Sequence, residues 1–264
     1  METKLTGEGP AFYVPAHATA ASGGDPIGRR AARSAEKSEV MRSGFMERLR
    51  QLLHDGWLPR AERYLALPRN VFYSWLLHAD DMRIGSGNTI KGIKGLKIGR
   101  SFRALDQLWL AAVDCDRAGN RYMPSLIIGN DVVVGYGVHL AATNSVRIGD
   151  GVLVGSRVII TDHNHGIYSG NLQSSPLEAP ADRLLTSDRE VVVEDNVWIG
   201  DGVAILPGAR IGQGSVIGAN SVVNCSIPNS CIAVGNPARP IKVYDRESRR
   251  WVSTCEAPVV ADRA

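Results

Sequence analysis

Apolar residues return at every sixth position through the second half of the chain. Ile199, Ile205, Ile211, Ile217 and Val223 keep that step without a slip, and Val193 extends it upstream. Gly200, Gly212 and Gly218 directly follow three of these positions. Val197, Val203, Ala209, Ser215 and Ser221, all small or β-branched, precede them by two. Ile128, Val134 and Leu140 hold the same step earlier, and Ile148, Val154 and Ile160 resume it after a two-residue slip. Ile84 with Gly85, and Ile98 with Gly99, are looser copies nearer the start. A six-residue period fits neither the helical repeat nor long alternating strands joined by hairpins. It predicts short strands separated by tight corners, with one inward apolar residue per strand and glycine or another small residue relieving the corner. Three such strands close a triangular coil, and stacked coils bury one continuous apolar column, a parallel β-helix. A β-sandwich with glycine turns would show longer and less regular spacing. The period does not set the hand of the coil, and the general rule for crossovers favours right-handed ones.

Outside the repeat the pattern changes. Phe45, Leu49, Leu52, Leu53 and Trp57 fall at helical spacing, and Val71, Phe72, Trp75 and Leu76 form a second helical cluster after Pro68. The predicted organisation is a disordered arm over 1–42, rich in Ala, Gly, Ser and charge, then a helical segment over 43–80. The β-helix follows over 81–243, and a short tail with little pattern over 244–264. Two segments leave the period. One, near 104–126, carries the turn-like DRAGNR and reads as a hairpin. The other, from 166 to 189, follows the point where TDHNHG replaces the aliphatic pattern after Ile160. A loop that long in a compact domain is usually functional or disordered, and Tyr168, Pro176, Glu178, Pro180 and Asp182 give it the means to cover a ligand.

Composition narrows the partners. The net charge of +3 is small and spread along the chain, which argues against nucleic acid. Cys115, Cys225, Cys231 and Cys255 show no CxxC spacing and read as free thiols of a reducing compartment. The N-terminus lacks an apolar signal core and no stretch of 18 apolar residues follows, so the expectation is a soluble cytoplasmic protein without a transmembrane segment.

Three stretches, RIGDGVLVGSRVIITDHNHGIYSG, VWIGDGVAILPGARIGQGSVIGANSVV and AVGNPARPIK, carry a resemblance to the hexapeptide-repeat transferases. It is closest to the bacterial O-acetyltransferases of polysaccharide and lipopolysaccharide (O-antigen) synthesis and their maltose and galactoside acetyltransferase relatives, and it covers roughly residues 80–243. The resemblance implies a mainly β protein, a left-handed parallel β-helix with N-terminal helices. It also implies a homotrimer that binds acetyl-CoA in grooves between subunits and uses no metal. The His of the family's T-x-His motif is the general base, and it falls on His163. The chemistry needs such a group, because a sugar hydroxyl attacks a thioester only as its proton is removed, and imidazole titrates near neutral pH. Asp162 and His165 are candidates to orient the acceptor or His163, or to cap the bend. His139, one repeat region earlier, and Tyr168 complete the acceptor candidates. The galactoside enzymes place an acceptor-binding Asn where this chain has Gly137 and His139, which leaves the acceptor open among sugar hydroxyls and an amino group. For the cofactor the resemblance points to Trp198 beside the CoA arm, Asp201 at a contact position, Ala219 along the pantetheine, and Arg239 and Lys242 at the nucleotide phosphates.

Two other readings share the fold. A zinc hydrolyase of the β-helical carbonic anhydrase type needs three separated His around one metal, and only His139, His163 and His165 are at hand, two of them at an unsuitable spacing. A non-catalytic assembly scaffold would have no use for the intact DHNH and NPAR segments.

Overall fold

The computed structural model describes residues 57–187 and 189–254. The six-residue steps become strands of two to four residues arranged as three faces of a triangular prism. The first face contains Arg83–Ile84, Arg103–Ala104, Val133–Val134, Leu153–Val154, Trp198–Ile199 and Val216–Ile217, followed by Cys231–Gly235. The second stacks Thr89–Lys91, Trp109–Ala112, His139–Ala142, Ile159–Thr161, Ala204–Ile205 and Val222–Val223. The third stacks Leu96–Ile98, Ser125–Ile128, Ser145–Ile148, Val191–Val193, Arg210–Ile211 and Ser226–Ile227. Every pairing between coils is parallel and in register, so Leu140 lies over Ile160 and Ile160 over Ile205.

That register puts the predicted inward positions on top of one another. Val134, Val154, Ile199 and Ile217 line the first face from inside, Leu110, Leu140, Ile160, Ile205 and Val223 the second, and Ile128, Ile148, Val193, Ile211 and Ile227 the third, all buried. The small residues two positions earlier fill the corners: Val132, Val152, Val197 and Ser215 at one, Leu108, Val138, Val158, Val203 and Ser221 at another. At Gly155 a Cβ would meet the Asp201 Oδ1 at 2.5 Å and the Asp201 amide nitrogen at 2.7 Å. Glycine there lets the next coil approach, and the Asp201 carboxylate accepts the Ser156 N–H at 2.6 Å.

One helix, Trp57–Leu77, precedes the coils and runs through Pro68. Leu77, Ala79 and Met82 are buried in the core cluster, and the Asn70 Oδ1 accepts the Ile84 N–H at 3.1 Å, closing the open end of the first coil. The arm expected over 1–42 and the apolar positions from Phe45 to Leu53 lie outside the described residues. The described residues from 62 onward form one compact unit. Among the described residues no helix is long and apolar enough to cross a membrane.

Two boundaries differ from expectation. The off-period segment is narrower than 104–126: Ala104 and Leu110 continue the six-residue step from Ile98 as inward residues, and only 113–124 leaves the prism. Of the tail expected over 244–264, the described part, 244–254, is paired strand and turn. Ala238–Asp245 returns antiparallel on Cys231–Gly235, and Arg250–Ser253 pairs with it in turn, with the Tyr244 and Trp251 rings 5.3 Å apart. The last parallel strand would otherwise present a bare row of N–H and C=O groups, and the hairpin covers it.

Candidate active site

The corner between the second and third faces varies in length from coil to coil. In the third coil it is the short turn Thr143–Asn144. In the second and fourth it carries the excursions 113–124 and 162–190. The two-residue slip in the sequence marks this corner.

Asp162 opens the longer excursion and is completely buried. Its Oδ1 accepts the Thr143 N–H at 2.9 Å, and its Oδ2 accepts the N–H groups of Asn144 at 2.8 Å and Ser145 at 2.7 Å. His163 Nδ1 lies 3.0 Å from the same Oδ1 and 3.0 Å from the Thr161 Oγ1. Burial pushes the Asp162 carboxyl up, but the bonds from His163 and from the Thr143 and Asn144 amides outweigh it and hold the pKa below the ordinary carboxylate value. An ionised carboxylate only accepts, so Nδ1 of a neutral His163 carries the proton and Nε2 keeps a free lone pair. Asp162 is therefore corrected from an acceptor-binding candidate: both its oxygens are spent on backbone amides and the His163 ring, out of reach of a ligand.

His165 follows on a two-residue strand, Asn164–His165, paired antiparallel with Leu185–Thr186, and its ring stands 6.5 Å from that of His163 at 61°. The Tyr168 hydroxyl donates to the His165 carbonyl and accepts from Arg183 Nη1 at 2.9 Å, so its exposed ring, not its hydroxyl, is free for contact. His139 projects from the second face, in register between Trp109 and Ile159. Its ring stacks on Trp109 at 5.5 Å and 11°, and Lys91 Nζ lies 4.6 Å from the Trp109 centroid. Burial, and after it the charge of His163, lowers the His139 pKa and favours a neutral ring. His139 thus stands at the start of the second face, and His163, with His165 beside it, just past the end of the same face. Among the described residues no group of three or more His, Cys, Asp or Glu side chains could hold a metal ion.

The residues assigned to the cofactor lie elsewhere on the chain. Trp198 projects outward from the first face, 53% exposed, in register with Leu153 and Val216. Asp201 and Ala219 occupy successive turns of the corner between the first and second faces. A Cβ on Gly200 would meet the Ala219 nitrogen at 2.7 Å, and the Asp201 carbonyl accepts the Asn220 N–H at 2.8 Å. Asp201 spends one carboxylate oxygen on Ser156, a part in the coil that the motif alone does not reveal. Arg239 and Lys242 lie on the terminal hairpin, where Arg239 Nη1 donates to the Ala238 carbonyl at 2.8 Å. His163 and His165 are thus neighbours, while Trp198, Asp201, Ala219, Arg239 and Lys242 sit on the first face, on its corner with the second, and on the terminal hairpin. Sequence reasoning missed Trp109 and Lys91. Trp109 was detectable as the residue at His139's position one coil earlier, had the excursion between them been allowed for.

Residues 190–225 match the model of the bacterial transferase hexapeptide (six repeats). Over 126 residues the chain is 41% identical to the "Putative lipopolysaccharide biosynthesis O-acetyl transferase WbbJ" of Escherichia coli (strain K12), a match over 48% of this chain and 64% of that relative's length. Among solved structures it resembles a variant of AntD, an N-acyltransferase from Bacillus cereus in complex with dTDP-4-amino-4,6-dideoxyglucose and coenzyme A. That likeness has a TM-score of 0.50 at 22% identity, over 64% of this chain and 84% of that one. It also resembles a maltose O-acetyltransferase from Clostridium difficile 630, with a TM-score of 0.39 at 26% identity, over 64% and 69%. The parallel coils in register give the chain the fold of a left-handed parallel β-helix, and residues 190–225 carry the matched hexapeptide repeats.

Proposed function

We propose that the chain is an acetyl-CoA-dependent acyltransferase that acetylates a hydroxyl of a sugar or polysaccharide precursor, with His163 as general base. The observation that carries this reading is the His163 ring anchored through Nδ1 on a buried carboxylate that three backbone amides hold charged. Acetyl-CoA supplies an activated acyl group whose thiol departs readily. His163 Nε2 takes the acceptor hydroxyl's proton as its oxygen attacks the thioester carbonyl, holds it while Asp162 balances the imidazolium charge, and returns it to the departing sulfur. His139 and His165 offer ring nitrogens, and Tyr168 an exposed ring, to the acceptor. Trp198, Ala219, Arg239 and Lys242 take the cofactor, with Asp201 beside them. Because base and cofactor residues lie on different edges of one chain, the reading requires a site shared between neighbouring protomers, and a homotrimer supplies it. The free thiols of Cys115, Cys225 and Cys231 support a cytoplasmic setting.

The test is an acceptor screen with acetyl-CoA, following thiol release and product mass. His163→Asn is expected to lower turnover by about 10²–10⁴ with acetyl-CoA affinity unchanged. A variant that keeps more than about a tenth of wild-type turnover, with chemistry rate-limiting, removes His163 as the base.

A further inference from the structure

The two excursions leave the prism at the same corner, on either side of the Thr143–Asn144 turn that Asp162 ties down, and they touch. The shorter one is built on Asp116. Its carboxylate accepts the Asn120 N–H at 2.9 Å, the Asn120 side-chain amide at 2.8 Å and the Tyr122 hydroxyl at 2.7 Å, and Cys115 bridges Arg121 antiparallel. The Tyr122 oxygen also accepts the N–H of Leu185, 63 residues away in sequence, at 3.1 Å. A phenol has one proton and a carboxylate can only accept, so Asp116 fixes which way that proton points and turns a lone pair of the oxygen to Leu185. Burial first, and then the bond to Asp116, pushes the Tyr122 pKa up to about 12, which keeps this polarity through the physiological range. Leu185 is buried and is the register partner of His165, two residues from His163. Arg117 approaches Asp182 at 4.0 Å, an exposed pair of little weight beside the hydroxyl.

We propose that Tyr122 is a positioning residue: the 113–124 excursion is a bracket that, through the Tyr122 hydroxyl and the Leu185 N–H, sets where the strand pair carrying His165 stands over His163 and so forms the acceptor side of the site. The consequence for the acceptor rests on the transferase reading above, whereas the bracket itself does not. The second and third faces are joined in the third coil by a turn of two residues, so the 113–124 segment serves something beyond closure of the prism.

Tyr122→Phe keeps the ring and removes the hydroxyl. It leaves the Leu185 N–H without its acceptor, a loss that reaches the acceptor side alone, because the cofactor residues sit on the later coils and the terminal hairpin. The expected result is a fall in kcat/KM of about tenfold carried by the acceptor KM, with the acetyl-CoA KM changed by less than about twofold. Amide exchange at Leu185 is expected to accelerate by at least about tenfold while that at Ile205 and Ile211 stays as in the wild type, which shows the coils intact. Arg117→Ala is expected to leave both readouts within about twofold. Unchanged Leu185 exchange in a folded Tyr122→Phe protein overturns the bracket. Faster exchange with an unchanged acceptor KM, or equal losses for acceptor and acetyl-CoA, overturns the link to the acceptor. A wild-type chain that transfers acetyl to no acceptor overturns the transferase reading and the acceptor link with it, while the exchange measurement still decides the bracket.

Discussion

Replacing Asp162 with Asn changes one atom and reverses half of a hydrogen-bond set. In the native corner two oxygens accept from Thr143, Asn144, Ser145 and His163. The amide of an Asn can place its oxygen on one side only. If the oxygen stays toward Thr143 and His163, its NH₂ faces the Asn144 and Ser145 N–H groups, donor against donor. If it turns over, the NH₂ faces His163 Nδ1, which must then accept, and the ring proton moves to Nε2, where it blocks the base. The first arrangement leaves the Asn144 and Ser145 N–H groups and the new NH₂ without an acceptor, and the second leaves the buried Thr143 N–H facing the NH₂, at a cost of about 3 kcal/mol, or about 6–12 °C in Tm for a domain of this size. Turnover is expected to fall by about 10²–10⁴, because the imidazolium loses its counter-charge or the tautomer is wrong. The pH dependence carries a sign. The folded carboxyl titrates below its ordinary value of 3.8, so its stabilisation is present above that value and is lost as pH falls through the folded pKa. The Tm gap between wild type and Asp162→Asn is therefore expected to be constant from neutral pH down to about 5 and to close below about 4. Thermal melts across that range, thiol-release kinetics and ¹⁵N spectra of the His163 ring test the three parts. A folded Asp162→Asn protein with more than about a third of wild-type turnover and His163 still protonated on Nδ1 would refute the role given to the carboxylate.

Two further predictions concern assembly and the column. Co-assembled His163→Asn chains and Arg239→Ala/Lys242→Ala chains, each weak alone, are expected to regain activity, because about a quarter of all sites in a random ring of equal numbers of the two pair an intact base with intact cations. No recovery, in a mixture shown by mass to contain both chains, places the whole site within one protomer. Ile205→Ala, at the centre of the column, is expected to cost about 2–5 kcal/mol without altering the acceptor KM of the folded protein, as read by denaturant titration and steady-state kinetics.

The coil was legible because its inward positions are repetitive in chemistry as well as in spacing. Ile199, Ile205, Ile211 and Ile217 carry the same side chain into the column from successive faces. The reading weakened where the chain kept the geometry with a less telling residue: Ala104 is as inward as Ile98, yet an alanine carries no periodic signal, and the hairpin was drawn too wide. The motif draws the eye to His163, but the direction of the Asp162 carboxylate leaves no mark in the sequence. It depends on amides of a neighbouring coil that are remote in sequence, and main-chain donors leave no trace in side-chain identity. For the same reason the Tyr122–Leu185 contact was hidden, since it joins two segments that lie off the period. The terminal hairpin was missed because its pairing partner, Cys231–Gly235, shows itself only once the stack is seen to end there.

The variable corner separates two kinds of change that most folds entangle. Side chains inside the prism answer to the turns above and below, so a substitution there propagates along the stack. The link between the second and third faces lies outside that column, and in this chain it ranges from a two-residue turn to the whole of 162–190. Lineages that share the prism can therefore exchange, lengthen or delete that link while the imidazole at its root stays fixed by amides of the adjoining turn. Divergence among proteins that share the prism is then expected to concentrate in these links while the repeats drift slowly.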